Sequence, residues 1–261
     1  MTARVLAPAS LIVLLLGLWE GAVRAFRVPA YILPPPSRIF ATFGTSLPLL
    51  AHHGAVTLAE ILLGLLLATG FGVLLALALH ASPSLERALR PFLLASQMIP
   101  VFAIAPLLVV WLGYGMGPKV VVTALIGFFP IAVNEWDGLR TAGAESIDLL
   151  RSMGATRRQL LVKLLFPASL PSFFSGLKVA ATLSVVGATI GEWVGARRGL
   201  GFLMLESNAR LRVDLVFASI LMLTLVGLLL YAALRIIESR VLRWKRSAHE
   251  VRAAATGHGG G

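Results

Sequence analysis

Apolar residues in this 261-residue chain are gathered into six long runs, at about residues 6–23, 55–79, 88–112, 118–135, 172–195 and 213–238, joined by shorter polar connections. A hydrocarbon core roughly 30 Å thick takes about 20 helical residues to cross, and each run is close to that length. None alternates with period two as barrel strands do; the runs are continuous and rich in Leu and Ala. The pattern predicts an all-α membrane protein with six transmembrane helices.

Prolines and glycines refine the elements. The segment "VPAYILPPPSRIFATF" carries three consecutive prolines, which enforce an extended elbow, and a short amphipathic helix over 37–50 is expected to follow along the outer surface. The third run holds Pro91, Pro100 and Pro106, each of which removes a backbone donor and can kink a helix. Freed carbonyls in lipid need partners, so this helix is expected to pack inside protein. In the fifth run only residues 179–191 separate Lys178 from Glu192, about 20 Å of helix. Lys178 is therefore expected to snorkel, with neighbouring helices shielding the segment. Gly187, Gly191 and Gly195 recur every four residues, continued by Gly199, as a stripe for close helix packing within one subunit or across two.

One connection differs from the rest. The stretch "AESIDLLRSMGATRRQLLVKLLFPASLP", residues 144–171, is amphipathic and basic. In "ESIDLLRSM", Ile147, Leu150 and Met153 share one helical side. Gly154 is the natural left-handed stop. Thr156 to Gln159 then fits the TxxQ capping box, so a second helix is expected to begin near Thr156 and to end at Pro167. Such a helix–glycine–helix hairpin suits either an anionic lipid surface or a groove in a soluble protein.

Composition agrees with a bilayer: 57% of residues are hydrophobic and 13% charged, against roughly 25% charged in soluble domains. The net charge of +11 would suit nucleic acid by number, but its placement follows topology. With both termini cytoplasmic, most of the 23 Lys and Arg fall on that side, Arg87, Arg90, Arg140, Arg157, Arg158 and Lys163 among them, while Arg197, Arg198, Arg210 and Arg212 fall outside. The absence of cysteine excludes disulfides and thiolate metal sites. Trp19 and Glu20 close the first run as an interfacial helix end would, which favours a retained helix over a cleaved leader at Val23-Arg24-Ala25. The organisation expected is 1–54 as first helix, elbow and amphipathic segment, 55–245 as the core with its cytoplasmic loop at 136–171, and 246–261 as a disordered basic tail.

Candidate chemistry is sparse. "GYGMGPK" at 113–119 lacks the GxxxxGK[ST] spacing that holds phosphate and magnesium, and reads as a turn. The histidines form no HExxH motif; His52-His53 read as solvated loop residues rather than metal ligands. Glu20 and Glu60 are placed at interfaces. Gln97 beside Pro100 and Glu192 beside Trp193 are candidates for lining a pathway, since polar residues in spans face the bundle interior or a cavity. Helix-to-helix hydrogen bonds account for them equally.

The hairpin resembles the signature loop of permease subunits of binding-protein-dependent ABC importers, whose pattern is Glu-Ala-Ala, three residues, glycine, and a proline thirteen residues on. Here the triplet position is Asp148-Leu149-Leu150, the glycine is Gly154 and the proline is Pro167. "LPPPSRI", "TLAEILLG", "IPVFAIAPLLVVWLGYG" and "GLGFLMLESNARLRVDLVFASI" resemble the nitrate, sulfonate, taurine and thiamine-precursor branch in the same order, over roughly residues 17–245. The resemblance implies a type I ABC importer permease fold and a non-catalytic subunit of a bacterial inner-membrane transporter. It implies that Asp148, Leu149, Leu150, Ser152, Met153, Gly154, Ala155 and Thr156, with Pro167, form the contact with an ATP-hydrolysing subunit. No cofactor is expected on this chain; ATP and Mg belong to two partner ATPases. A second permease subunit in a homodimer, an extracytoplasmic solute-binding protein and the lipid bilayer complete the expected partners, with no nucleic acid. The solute expected from "GATIGEWVGARRGLG" is a thiamine-precursor pyrimidine or similar heterocycle, else sulfonate, taurine or nitrate. A secondary transporter without an ATPase is the alternative, and a membrane-embedded enzyme a distant third.

Overall fold

In the computed structural model of the chain, residues 2–244 are described, with side chains from Ser10 onward; the tail expected at 246–261 lies outside the described residues. The described residues are helical almost throughout. In chain order the helices are α1 (Thr2–Ala25), α2 (Pro36–Thr45), α3 (Leu47–Ala81), α4 (Pro83–Ser96), α5 (Val101–Leu112), α6 (Met116–Leu139), α7 (Ala144–Ser152), α8 (Arg157–Leu160), α9 (Phe166–Gly195), α10 (Leu200–Ala209) and α11 (Val213–Val241). A π-helical turn, Leu161–Leu165, joins α8 to α9. By length and hydropathy, α3, α6, α11 and the continuous Arg157–Gly195 helix can each cross a membrane, and α4 with α5 forms a further, sharply bent pair. Helix α1 covers the first apolar run.

The chain divides into two compact units. One takes the chain up to Ala59 and from Glu192 to Val226; the other takes Glu60–Gly191 and the described residues from Gly227 on. In the first unit Pro35 is extended and Pro36 occupies the first turn of α2, where a missing N–H is no loss. Glu20 ties this elbow to α1 by accepting from the Ser37 amide and hydroxyl at 3.0 and 2.8 Å. The Thr42 hydroxyl donates to Asp214 at 2.9 Å, and Leu50, Leu200, Leu203, Leu215 and Ala218 form the core.

In the second unit α6 is the central helix. Glycines let its neighbours approach: a Cβ on Gly72 of α3 would stand 2.9 Å from the Ile131 side chain, and one on Gly187 or Gly191 of α9 would stand 2.9 Å from the Cα of Thr123 or Lys119. Leu65, Ala68, Ala124, Ile131, Phe174, Leu177 and Ala180 fill the contact. The glycine stripe thus packs within this chain at Gly187 and Gly191. It does not run further as a helical face, because Gly195 is the last residue of α9 and Gly199 lies beyond it with φ +119°.

Four expectations change. The third run is not one kinked span: α4 and α5 meet at 96°. Pro100 is extended and caps α5, so the proline that cannot continue one helix begins the next. Nor is this pair packed inside the single chain; α4 has no buried residue and α5 only Ala105 and Leu108. The amphipathic segment at 37–50 is cut after Thr45, and Leu47 already begins α3. Pro167 does not end the second hairpin helix. The Phe166 amide bonds to Leu161 O, five residues back, and this widened register gives the proline ring room that an α-helical turn would deny. Lys178 pairs with Glu238 at 2.7 Å.

Candidate functional site

The hairpin is built from two termination signals back to back. Helix α7 ends with Gly154 at φ +81°. The Ala155 amide returns to Leu150 O at 3.0 Å and the Gly154 amide to Arg151 O at 2.9 Å, the paired bonds of a Schellman motif. Two residues later Thr156 caps α8. Its amide donates to Gln159 Oε1 at 2.8 Å, and the Gln159 amide donates to Thr156 Oγ1 at 3.3 Å. Turn and cap both lie in "GATRRQ", so six residues end one helix and begin the next without a long loop.

The stems hold the hairpin to the spans. Leu165 joins Trp136, Leu139 and Leu79 in a core against which Ile147 packs, and the Ser169 hydroxyl donates to the buried Glu135 at 2.8 Å. The other side of the hairpin is uncovered. Leu149 is 63% and Met153 74% exposed, and Leu150, Met153, Gly154, Ala155, Gln159 and Lys163 line a shallow depression. Asp148 is exposed and pairs with Arg151 at 3.8 Å. Ser152 donates back to Leu149 O, so its hydroxyl finishes α7. An exposed apolar rim around a rigid turn is what a docking element presents.

The polar span residues fall into different settings. Gln97 and Pro100 lie exposed in the break between α4 and α5, where Gln97 Nε2 reaches Ser96 Oγ at 3.4 Å. Trp193 is half exposed. Glu192 is buried: Oε1 accepts from the Thr57 hydroxyl at 2.7 Å, and Oε2 from the Gly201 and Phe202 amides at 2.5 and 3.2 Å. The Thr57 oxygen accepts in turn from the Leu200 amide at 2.8 Å. Together they saturate the first amides of α10, the work of an N-cap done from other helices. This is the helix-to-helix role that composition alone left open for Glu192.

Two other residues depart from the sequence reading. His53 is not a solvated loop residue; it is buried on α3, with Nδ1 3.0 Å from both the amide and the carbonyl oxygen of Gly199. Glu60 is not interfacial either. It is fully buried, and Lys119 Nζ donates to it at 2.6 Å. The signal that finds them is spacing: His53, Thr57 and Glu60 are four and three apart, a single polar stripe on an otherwise apolar helix. Among the described residues no group of His, Cys, Asp or Glu is arranged to hold a metal.

The fold and hairpin define a multi-pass helical membrane protein with an exposed helix–glycine–helix turn. Residues 61–243 match the family described as binding-protein-dependent transport system inner membrane component, and the chain belongs to that family of ABC importer permease subunits. These are transport components rather than catalysts. The chain is 44% identical to a probable ABC transporter permease protein of Haemophilus influenzae, over 88% of this chain and 94% of that one. It is 42% identical to the formylaminopyrimidine transport permease protein ThiX of Halalkalibacterium halodurans, over 92% and 96%. These relatives stand in the branch that the sequence resembles. The MetNI methionine ABC transporter in an inward-facing conformation superimposes with a TM-score of 0.68 at 21% identity, over 76% of this chain and 98% of that one, which establishes the type I importer permease fold.

Proposed function

We propose that this permease couples ATP hydrolysis on a partner to solute uptake through the hairpin at 144–167. The carrying observation is the uncovered apolar rim, Leu149 and Met153, around a turn fixed by Gly154 and by the Thr156–Gln159 box. Two ATPase subunits, which bind the ATP and Mg, dock there, and two copies of this chain make the pathway. A soluble binding protein delivers the solute at the outer face, with both termini of the chain in the cytoplasm. ATP binding closes the ATPases, the hairpins carry that motion into α6 and α9, and the pathway changes the side to which it opens. Linkage requires that delivery of solute alter ATP turnover in return. The solute class is a pyrimidine or similar small heterocycle, by likeness to the formylaminopyrimidine permease.

Co-expression with the ATPase and reconstitution with the binding protein test this. Gly154→Asp is expected to abolish solute-stimulated ATP turnover while the permease still folds, and Asp148→Ala to weaken it. Unchanged stimulation in both variants would exclude the hairpin as the coupling element. Binding of a hydroxymethyl- or formylamino-pyrimidine, but not taurine, to the binding protein is the outcome expected for the solute.

A further inference from the structure

At the end of α6 that leads into the hairpin, a cavity of about 190 Å³ opens between α4 and α6. Its floor is Trp136, itself only 8% exposed. Guanidinium groups cover the ring: Arg90 lies 5.8 Å and Arg140 4.9 Å from its centroid. Arg140 is committed, with Glu86 3.6 Å away. Glu86, which also lines the cavity, is neutralised by that pair, so the charges left over on the walls are one cation and one anion, Arg90 and Asp137, neither of which is in an ion pair among the described residues. Beyond them the wall turns apolar, at Leu93 and Phe129.

We infer that this cavity binds the head of a zwitterionic amino-phospholipid, with its phosphate on Arg90, its ammonium on Asp137 and its glycerol end against the apolar wall. Three observations select that chemistry. Opposite charges in equal number favour a ligand carrying both, and disfavour a purely anionic lipid, whose phosphate would stand beside Asp137. The volume is below the roughly 300–1,000 Å³ of pockets that enclose a whole drug-sized ligand, so the rest of the molecule remains outside, as acyl chains in the bilayer do. An aromatic ring with basic side chains at the end of a span is also the arrangement found at the level of lipid headgroups. The site lies next to the stem of the hairpin, since Trp136 shares its core with Leu165 and Ile147. Lipid bound here braces α4 against α6 at that stem.

The full-length chain, purified in detergent, would be placed in nanodiscs of dioleoyl-phosphatidylcholine with increasing dioleoyl-phosphatidylethanolamine or dioleoyl-phosphatidylglycerol. Thermal midpoints and lipids retained by native mass spectrometry would then be read. Phosphatidylethanolamine is expected to raise the midpoint and to remain bound after delipidation. Both effects should disappear in Arg90→Ala and in Asp137→Asn and be largely kept in Arg90→Lys; Arg90 and Asp137 are exposed, so the variants should fold. An equal response to phosphatidylglycerol, or an undiminished response in Arg90→Ala and Asp137→Asn, would overturn the site.

Discussion

Lys119 and Glu60 are locked together inside the protein: the ammonium stands 2.6 Å from the carboxylate, with the glutamate side chain fully shielded and the lysine nearly so. The backbone of Lys119 also forms the floor on which Gly191 sits. Charge pairing and close helix contact therefore meet at one residue of α6.

A buried pair of this kind makes a strong prediction about which change hurts. Removing one partner leaves a charge in a medium that cannot solvate it, at about 3–5 kcal/mol, whereas replacing both by apolar groups is often close to neutral. Lys119→Met alone should lower stability by about that amount, and Glu60→Leu with Lys119→Met should recover most of it. Unfolding in mixed detergent micelles, arranged as a double-mutant cycle, reads the coupling directly. Additive losses would mean that the pair contributes nothing as a pair.

Glu192 should behave as a structural anchor before it behaves as a pathway residue. Its two oxygens hold Thr57 and the first amides of α10, and hydrogen bonds to a charged group contribute about 1.5–3 kcal/mol each. Glu192→Ala should destabilise by several of these, with fluorescence or circular dichroism melting shifted well down; Glu192→Gln, which keeps an acceptor, should lose less. A Glu192→Ala protein that melts like the wild type yet fails to transport would assign the residue to the pathway instead.

Periodicity and turn chemistry carried most of the fold. The Schellman glycine and the capping box were legible at Gly154 and Thr156 because both are local: the residues that satisfy each amide lie within a few positions of it. Four of the six expected spans, at α3, α6, α9 and α11, were legible because lipid rewards uninterrupted apolar length. Long-range partners were not. Nothing near Glu192 in the sequence announces Thr57, 135 positions earlier, and Lys119 sits in what reads as a loop-to-helix junction, 59 positions from Glu60. The break at Pro100 was visible as a proline but not as a 96° bend, because a kink and a full stop share the same local sequence. Tertiary packing also decided that Pro167 would be carried through by a π turn.

Two of the four positive-φ glycines among the described residues, Gly154 and Gly199, should respond differently to substitution. Gly154 has φ +81° with nothing near its missing side chain, whereas Gly199 has φ +119° and a Cβ there would collide with the Glu192 carboxylate. Asparagine tolerates the left-handed region, so Gly154→Asn should cost under about 1 kcal/mol. Gly199→Asn should disrupt the start of α10, giving a low yield of folded protein on size-exclusion chromatography. Comparable melting points for the two variants would contradict the clash.

The capping box offers the most localised test of the hairpin. Thr156 supplies the only side-chain cap of α8, and its loss is expected to cost about 1 kcal/mol borne by the four-residue helix and the π turn that follows. That is too small to unfold the spans, whose cores at Ala124, Ile131 and Ala180 are far more extensive. Thr156→Ala should therefore leave the global melting point nearly unchanged while amide exchange over 157–165 speeds up about fivefold, the rate equivalent of 1 kcal/mol. Thr156→Ser, which keeps the acceptor oxygen, should restore slow exchange. Equal exchange in wild type and Thr156→Ala would mean that Leu160 and Leu165, both buried, hold this turn by packing alone.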